Sequence, residues 1–335
     1  MEKVSPKDLA KAVAPFENVQ VGPGLLKMAT HLALIIPLLA LTWTYRDDPL
    51  LFVLFTVLGS FVYSSMMVTT HDAIHETFTG NRLIDNIYPR VISYPLFWFH
   101  GIYAEVHKLH HKMNGTDTRD PERIEYTAAE YAAASPLKKL YIRNQWFFNI
   151  FVFGGIGFIV RTVRSGAAFY GKSASMRRAF HVDFSGIILA NIAIYSFMAS
   201  KGLALQFFTF WLIYQYTVGV VLVFRAHIEH YGLWGKGDHF YDSQVLNCRN
   251  IRTNKFLEWY FNGLCHHSIH HAFPRVPFYA LERAQLAMHD VYRRSGKEGV
   301  KYTDGYFGSA FTLLRTPLVI KDQPTGGISG SEALG

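Results

Sequence analysis

Four apolar runs, each close to the length of a bilayer crossing and grouped as two tight pairs, constrain this chain more than any other feature. The first, residues 24–44, is followed after Tyr45-Arg46-Asp47-Asp48-Pro49 by the second, residues 50–70. The other pair, 183–200 and 204–224, is joined by a turn around Lys201-Gly202. A helix needs about 20 apolar residues to span a bilayer, and two runs joined by a few polar residues predict an antiparallel helical hairpin. The predicted fold class is therefore an all-α integral membrane protein with four transmembrane helices in two hairpins. Composition agrees. Half the residues are hydrophobic and only 17% are charged, against about a quarter in a soluble domain. The net charge of +8 reads as Lys and Arg of cytoplasmic loops, not as a nucleic-acid footprint.

Histidines cluster just beyond these runs. His71 and His75 follow the second run, His107, His110 and His111 come next, His227 and His230 follow the fourth run, and His266, His267, His270 and His271 come last; together they hold 11 of the 16 histidines. Spacings of three and four place side chains on one helical face, and neutral imidazole is the commonest protein metal ligand. His107, His110 and His111 share their spacing with His267, His270 and His271, which leaves His266 as the extra histidine, an orienting or structural residue. Asp72, Glu76 and Glu229 are further candidates to orient imidazole N–H groups. Asp117, Asp120 and Glu122 fall in a polar loop, where their carboxylates either orient imidazoles or face solvent; the solvated reading is favoured. Cys248 and Cys265 form no disulfide framework, and two thiolates cannot hold a typical iron–sulfur cluster.

The remaining segments follow from topology. Residues 1–23 lack the pattern of a cleavable signal peptide and read as an interfacial or loose cytoplasmic arm. The aromatic stretch from 81 to 104 reads as a helix lying in the interface. Residues 145–160 are apolar but short for a crossing. Were they to cross, the first two histidine groups and the last two would face opposite sides, so they are expected to be interfacial or re-entrant. Residues 24–290 then make one membrane domain. A helical cytoplasmic cap carries the histidines, ends in a C-terminal part over 291–320, and is followed by a Gly- and Ser-rich tail, 321–335, expected to be disordered. Positive residues gather in the loop holding Arg161, Arg164, Lys172, Arg177 and Arg178 and after the last run, whereas the opposite turns hold only Arg46 and Lys201. Positive loops stay inside, so the histidine clusters and both termini are expected to be cytoplasmic, in a bacterial inner membrane or an ER-type membrane.

Eight histidines of the three main clusters, with one or two from His227 and His230, exceed a single coordination shell and suit a dimetal site. Ligand type alone does not select the metal. A site at the membrane face suits a lipid substrate, and Phe97, Trp98, Phe99, Trp259, Tyr260 and Phe261 near the clusters suit an apolar pocket. A metal transporter would want ionisable residues within the runs, and a haem bundle would want axial histidines there, where only His31 lies.

The order His71…His75, His107…His110-His111 and His267…His270-His271 resembles the membrane fatty acid desaturase/hydroxylase superfamily over roughly residues 25–290. The resemblance implies two non-haem iron ions held by the matched histidines, with a further ligand after the fourth span. His230, followed by Tyr231-Gly232, matches that position best, and His227 is a second candidate. It implies O2 as co-substrate, a lipid or fatty acyl substrate, and two electrons from a separate ferredoxin- or cytochrome b5-type donor. Fatty acyl desaturation is the expected reaction. Lipid or carotenoid hydroxylation and decarboxylation to a terminal alkene are the alternatives that share such a site.

Overall fold

The computed structural model describes residues 4–313, 318–320 and 332–333. Most of the tail expected from Lys321 onward thus lies outside the described residues. In chain order the helices are α1 (Pro6–Val13), α2 (Val21–Thr44), α3 (Pro49–Ile74), α4 (Arg82–Ser93), α5 (His100–Met113), α6 (Ala128–Ala132), α7 (Pro136–Arg143), α8 (Gln145–Phe147), α9 (Gly154–Tyr170), α10 (Ala174–Ser200), α11 (Ala204–His230), α12 (Phe240–Asn247), α13 (Lys255–Tyr260), α14 (His267–Ala272), α15 (Leu281–Arg294) and α16 (Tyr306–Leu313). The chain divides into two units, Gln20–Lys108 with Phe153–Val223, and Met1–Val19 with Leu109–Val152 and Phe224–Gly335.

Five helical runs among the described residues are long and apolar enough to cross a membrane, namely α2, α3, Gln145–Tyr170, α10 and α11. The protein is a multi-pass membrane protein. The third of these runs differs from the sequence expectation in length. A π-helical segment, Phe148–Phe153, joins α8 to α9 and carries the helix on to Tyr170. Shortness no longer argues against its crossing.

In the membrane unit, the turn between α2 and α3 is closed by Asp48, whose carboxylate accepts the Leu50 and Leu51 N–H groups. Pro49 then starts α3 with its φ already helical. The buried hydroxyls of Thr56 and Ser64 bond to carbonyls four residues back, which satisfies them without breaking the helix. Gly155 and Gly219 let α9 and α11 touch backbone to backbone, and a Cβ on Gly219 would lie 2.0 Å from the Gly155 nitrogen. Small residues at such crossings are the rule in membranes. On α4, Leu83, Ile87 and Val91 form an exposed apolar stripe at helical spacing, as an interfacial helix requires.

The start of α5, which carries His107, is fixed from outside. Its preceding residues, Trp98 and Phe99, offer no capping side chain. Asp183 of α10 supplies the acceptor, taking the Ile102 N–H at 2.9 Å and the Tyr94 hydroxyl at 2.8 Å, with Arg90 3.9 Å away. Gly101 permits this approach, since a Cβ there would lie 3.0 Å from the Asp183 carboxylate.

The other unit has its core between α1 and α15. Leu9, Val13, Leu281, Ala284 and Met288 are fully buried and cluster with Ile269 and Phe273. The N-terminal residues, expected to form an interfacial or loose arm, pack through Val4, Leu9 and Val13 into this core. α14 is pinned on two sides. Ile269 and Ala272 enter that core, while Asn250 accepts both the N–H and the hydroxyl of Ser268. The strands are short: β2 (Asn250–Arg252) runs parallel to β3 (Tyr302–Asp304), and β1 (Tyr126–Thr127) pairs with β4 (Leu318–Ile320), which pairs with β5 (Glu332–Ala333).

Removing the Asp183 cap takes the acceptor from the Ile102 N–H and the Tyr94 hydroxyl. Asp183→Ala should cost about 2 kcal/mol, seen as a lowered thermal midpoint of the purified protein, and Asp183→Asn should lose less. An unchanged midpoint in Asp183→Ala would remove the cap from the account.

Candidate metal centre

Three histidines gather in the membrane unit. His71 lies in the last turn of α3, His75 ends that helix, and His107 lies on α5. The His71–His107 ring centroids are 4.7 Å apart, and each of these rings is 5.5 Å from His75. Each imidazole offers a nitrogen within 4.8 Å of the others. α3 stops here because the Thr77 N–H and hydroxyl both bond to the Asp72 carbonyl. Asp72 is buried. Glu76 has left-handed backbone (φ 57°), is exposed, and pairs with Arg82 at 3.5 Å. It faces solvent instead of orienting an imidazole. His31 bonds to Ser65 at 3.0 Å inside the α2–α3 hairpin, a packing role.

Six more histidines gather in the second unit, from the last turn of α5, the end of α11 and the buried helix α14. His230 Nε2 is 2.8 Å from His267 Nε2, and His270 Nε2 is 3.2 Å from His111 Nε2. The His110 ring lies 4.8 Å from His230 and 5.1 Å from His271. The opposite nitrogens are anchored. His110 Nδ1 meets Asp120 at 2.9 Å, His271 Nδ1 meets Gln244 Oε1 at 3.2 Å, and His267 Nδ1 lies 3.4 Å from Glu229. Burial and the surrounding imidazoles push the His271 pKa well below its usual value, which keeps the ring neutral, the form that binds metal. A cluster of imidazoles, three of them with Nδ1 against Asp120, Gln244 and Glu229 and with Nε2 atoms meeting across the cluster, fits a transition-metal ion.

The solvated reading of Asp120 is corrected. It is buried, because the turn at Asp120-Pro121 folds its carboxylate back onto His110 and onto the Glu122 N–H. Asp117, by contrast, pairs with exposed Arg119 at 2.6 Å. Glu229 accepts from the Tyr306 hydroxyl and is held by Arg225. His266 points away from the cluster, bonding Tyr302 at 2.9 Å with Glu258 3.7 Å away. His227 also lies apart. Its ring stacks on Tyr231 at 4.3 Å and lines an apolar cavity of about 180 Å³ with Trp146, Phe151, Phe224, Phe307 and Phe311.

The spacing rules missed the residues that hold the end of α11. Arg249 donates to the carbonyls of Ile228 and Tyr231, and its N–H bonds the Glu229 carbonyl at 2.8 Å. Glu125 accepts the Gly232 N–H at 2.6 Å. Burial lowers the Arg249 pKa to about 10 and raises that of Glu125 to about 7. Both lie far from His230 in sequence, and nothing in local spacing marks them. Cys248 was also missed as a member of the cluster. Its sulfur lies within 4.8 Å of donor nitrogens of His230, His267 and His271.

Comparison with known proteins places this geometry. The family model for fatty acid desaturases matches residues 48–302. The chain is 24% identical over 292 residues to a fatty acid desaturase of Bacillus subtilis, covering 83% of this chain and 80% of that protein. It is 24% identical over 247 residues to a Delta(8)-fatty-acid desaturase of Euglena gracilis, covering 64% of this chain. Here the match spans only 55% of the relative's length. It is 21% identical over 277 residues to an sn-1 acyl-lipid omega-3 desaturase (ferredoxin) of Synechocystis, covering 80% of this chain and 74% of that protein. A family match over residues 48–302, most of the chain, leads to one conclusion: the protein belongs to the fatty acid desaturase family.

Proposed function

We propose that this protein is an O2-dependent membrane desaturase that introduces a double bond into a long apolar chain, a fatty acyl group. The observation that carries the reading is the clustered imidazole set, in which Nδ1 of His110, His267 and His271 is tied to Asp120, Glu229 and Gln244 and Nε2 atoms meet across the cluster. His71, His75 and His107 would serve in the membrane unit, and His110, His111, His230, His267, His270 and His271 in the other. His230 is preferred to His227, whose ring is committed to the apolar cavity. Two iron ions held by this set would supply O2 activation with electrons from an external donor. In balance, a –CH2–CH2– unit, O2, two electrons and two protons give –CH=CH– and two waters.

The chain's own residues serve that reaction by holding and excluding. Asp120, Gln244 and Glu229 fix ring orientation. Arg249 and Glu125 hold the end of α11, and hence His230. The cavity beside His227 offers apolar walls to an acyl tail and keeps water away. The two electrons would come from a separate carrier of ferredoxin or cytochrome b5 type. The name of the Synechocystis relative, which includes ferredoxin, supports that class.

Topology is supported by a parity argument. His110 precedes the Gln145–Tyr170 run and His230 follows α11, yet their rings lie 4.8 Å apart. An even number of the three intervening apolar helices must therefore cross. Arg161 and Arg164 within α9 favour it as the helix that stays, and the short turn between α10 and α11 favours their pairing, a reading of four spans in two hairpins. The bias of positive loops supports a cytoplasmic side for the histidine clusters and both termini.

Three measurements test this reading. Cells expressing the protein with a working electron donor should accumulate lipids with new double bonds at a fixed position; unchanged lipids despite bound iron would refute the substrate class. His110→Ala or His270→Ala should abolish activity with membrane insertion intact, and Asp120→Asn should lower activity or iron affinity by about 10- to 100-fold. Accessibility tags at Arg119 and Lys172 should report the same side, and a tag at Asp47 the opposite one. Opposite sides for the first two would overturn the four-span topology.

A further inference from the structure

The second unit contains a donor set that histidine spacing alone does not anticipate. Nitrogens of His230, His267 and His271 and the sulfur of Cys248 all lie within 4.8 Å of one another. His267 Nε2 faces His230 Nε2 at 2.8 Å, while His271 Nδ1 meets Gln244 Oε1 at 3.2 Å and His267 Nδ1 lies 3.4 Å from Glu229. The sulfur is fully buried in the unit and accepts the Asn114 side-chain N–H at 3.3 Å, the contact that orients and stabilises a metal-bound thiolate. Asn114 is held in turn through the Asn247 carbonyl at 3.3 Å. Four donors around a tetrahedral ion, with metal–nitrogen distances of about 2.0–2.1 Å and a metal–sulfur distance of about 2.3 Å, would stand about 3.5 Å apart. Small side-chain rotations reach that spacing from the positions seen. Cys265, the other thiol, is a contrast: its sulfur faces the Gly263 carbonyl at 3.8 Å and has no imidazole neighbour in such a group.

We propose that Cys248 is a metal ligand, so that this chain builds a site of three imidazoles and one thiolate where histidine alone is expected. The proposal rests on the metal-binding reading above and adds to it a ligand of different chemistry. On binding, the S–H bond breaks, the metal–sulfur bond forms, and the proton leaves to water with no change in oxidation state. A thiolate raises affinity for softer divalent ions. The site should therefore bind Co2+ and Zn2+ tightly as well as iron.

Titrating the purified, chelator-stripped full chain with Co2+ alone tests this without turnover. The wild type should develop the near-ultraviolet sulfur-to-cobalt charge-transfer absorption together with intense tetrahedral visible bands. Cys248→Ser should lose the charge-transfer absorption and bind Co2+ at least about tenfold more weakly. Cys265→Ser should behave as wild type. Bound Co2+ without that absorption in the wild type, or absorption that survives Cys248→Ser, overturns the thiolate ligand and leaves the histidine site standing. Failure to bind Co2+ at all overturns both. Because the wild-type spectrum decides by itself, a poorly folded variant would not rescue the idea.

Discussion

A buried imidazole has two nitrogens and can aim only one of them at a metal, so the other must be held. That constraint organises the second unit. His110 is held by Asp120 at 2.9 Å, His271 by Gln244, and His267 by Glu229. Each holder is buried, so each needs support of its own. Glu229 has Arg225 and the Tyr306 hydroxyl, and Asp120 is shaped by its own turn. Ser268, between two of the site's histidines, is fixed by Asn250 and Gln285. Left unpaired, any of these groups would cost on the order of 1–3 kcal/mol. The polar interior therefore behaves as a connected network in which each bond supports the next.

The histidines themselves were legible because metal ligation and helix geometry share one short-range code. Spacings of three and four put rings on one face, and that logic holds for His107, His110, His111, His267, His270 and His271 without reference to the rest of the chain. Of the holders, Glu229 was legible beside His230, but the others were not read as holders, because nothing requires a holder to be near its histidine in sequence. Asp120 is ten residues from His110 and reads as loop. Gln244 reaches His271 across 27 residues, and Asp183 caps α5 across 81. Glu76, one residue from His75, was expected to orient an imidazole by proximity, but its left-handed backbone turns it outward to Arg82. The apolar run after Gln145 was legible as apolar but not in length, since a π-helical segment joins it to a helix that continues through Gly154, Gly155 and Gly157 to Tyr170.

The placement of the histidines at helix ends has an electrostatic reason. His71 lies in the last turn of α3, His110 and His111 in that of α5, His230 in that of α11, and His270 and His271 in that of α14. The C-terminal turn of a helix carries partial negative charge from carbonyls without intrahelical partners, equivalent to roughly half an elementary charge. A neutral imidazole displayed there offers a lone pair in a field that already favours a cation. The arrangement also uses the bilayer economically. α3 and α11 are apolar and long enough to cross a membrane, where a charged ligand would be costly, and their histidines stand at their last turns. Neutral imidazoles at that point tolerate the approach to the membrane, whereas carboxylate ligands would not. The carboxylates that the site does use, Asp120 and Glu229, stand one layer back, each paired with a donor. Divided this way, negative charge would reach a bound metal ion through hydrogen bonds and helix termini, not through direct carboxylate contact.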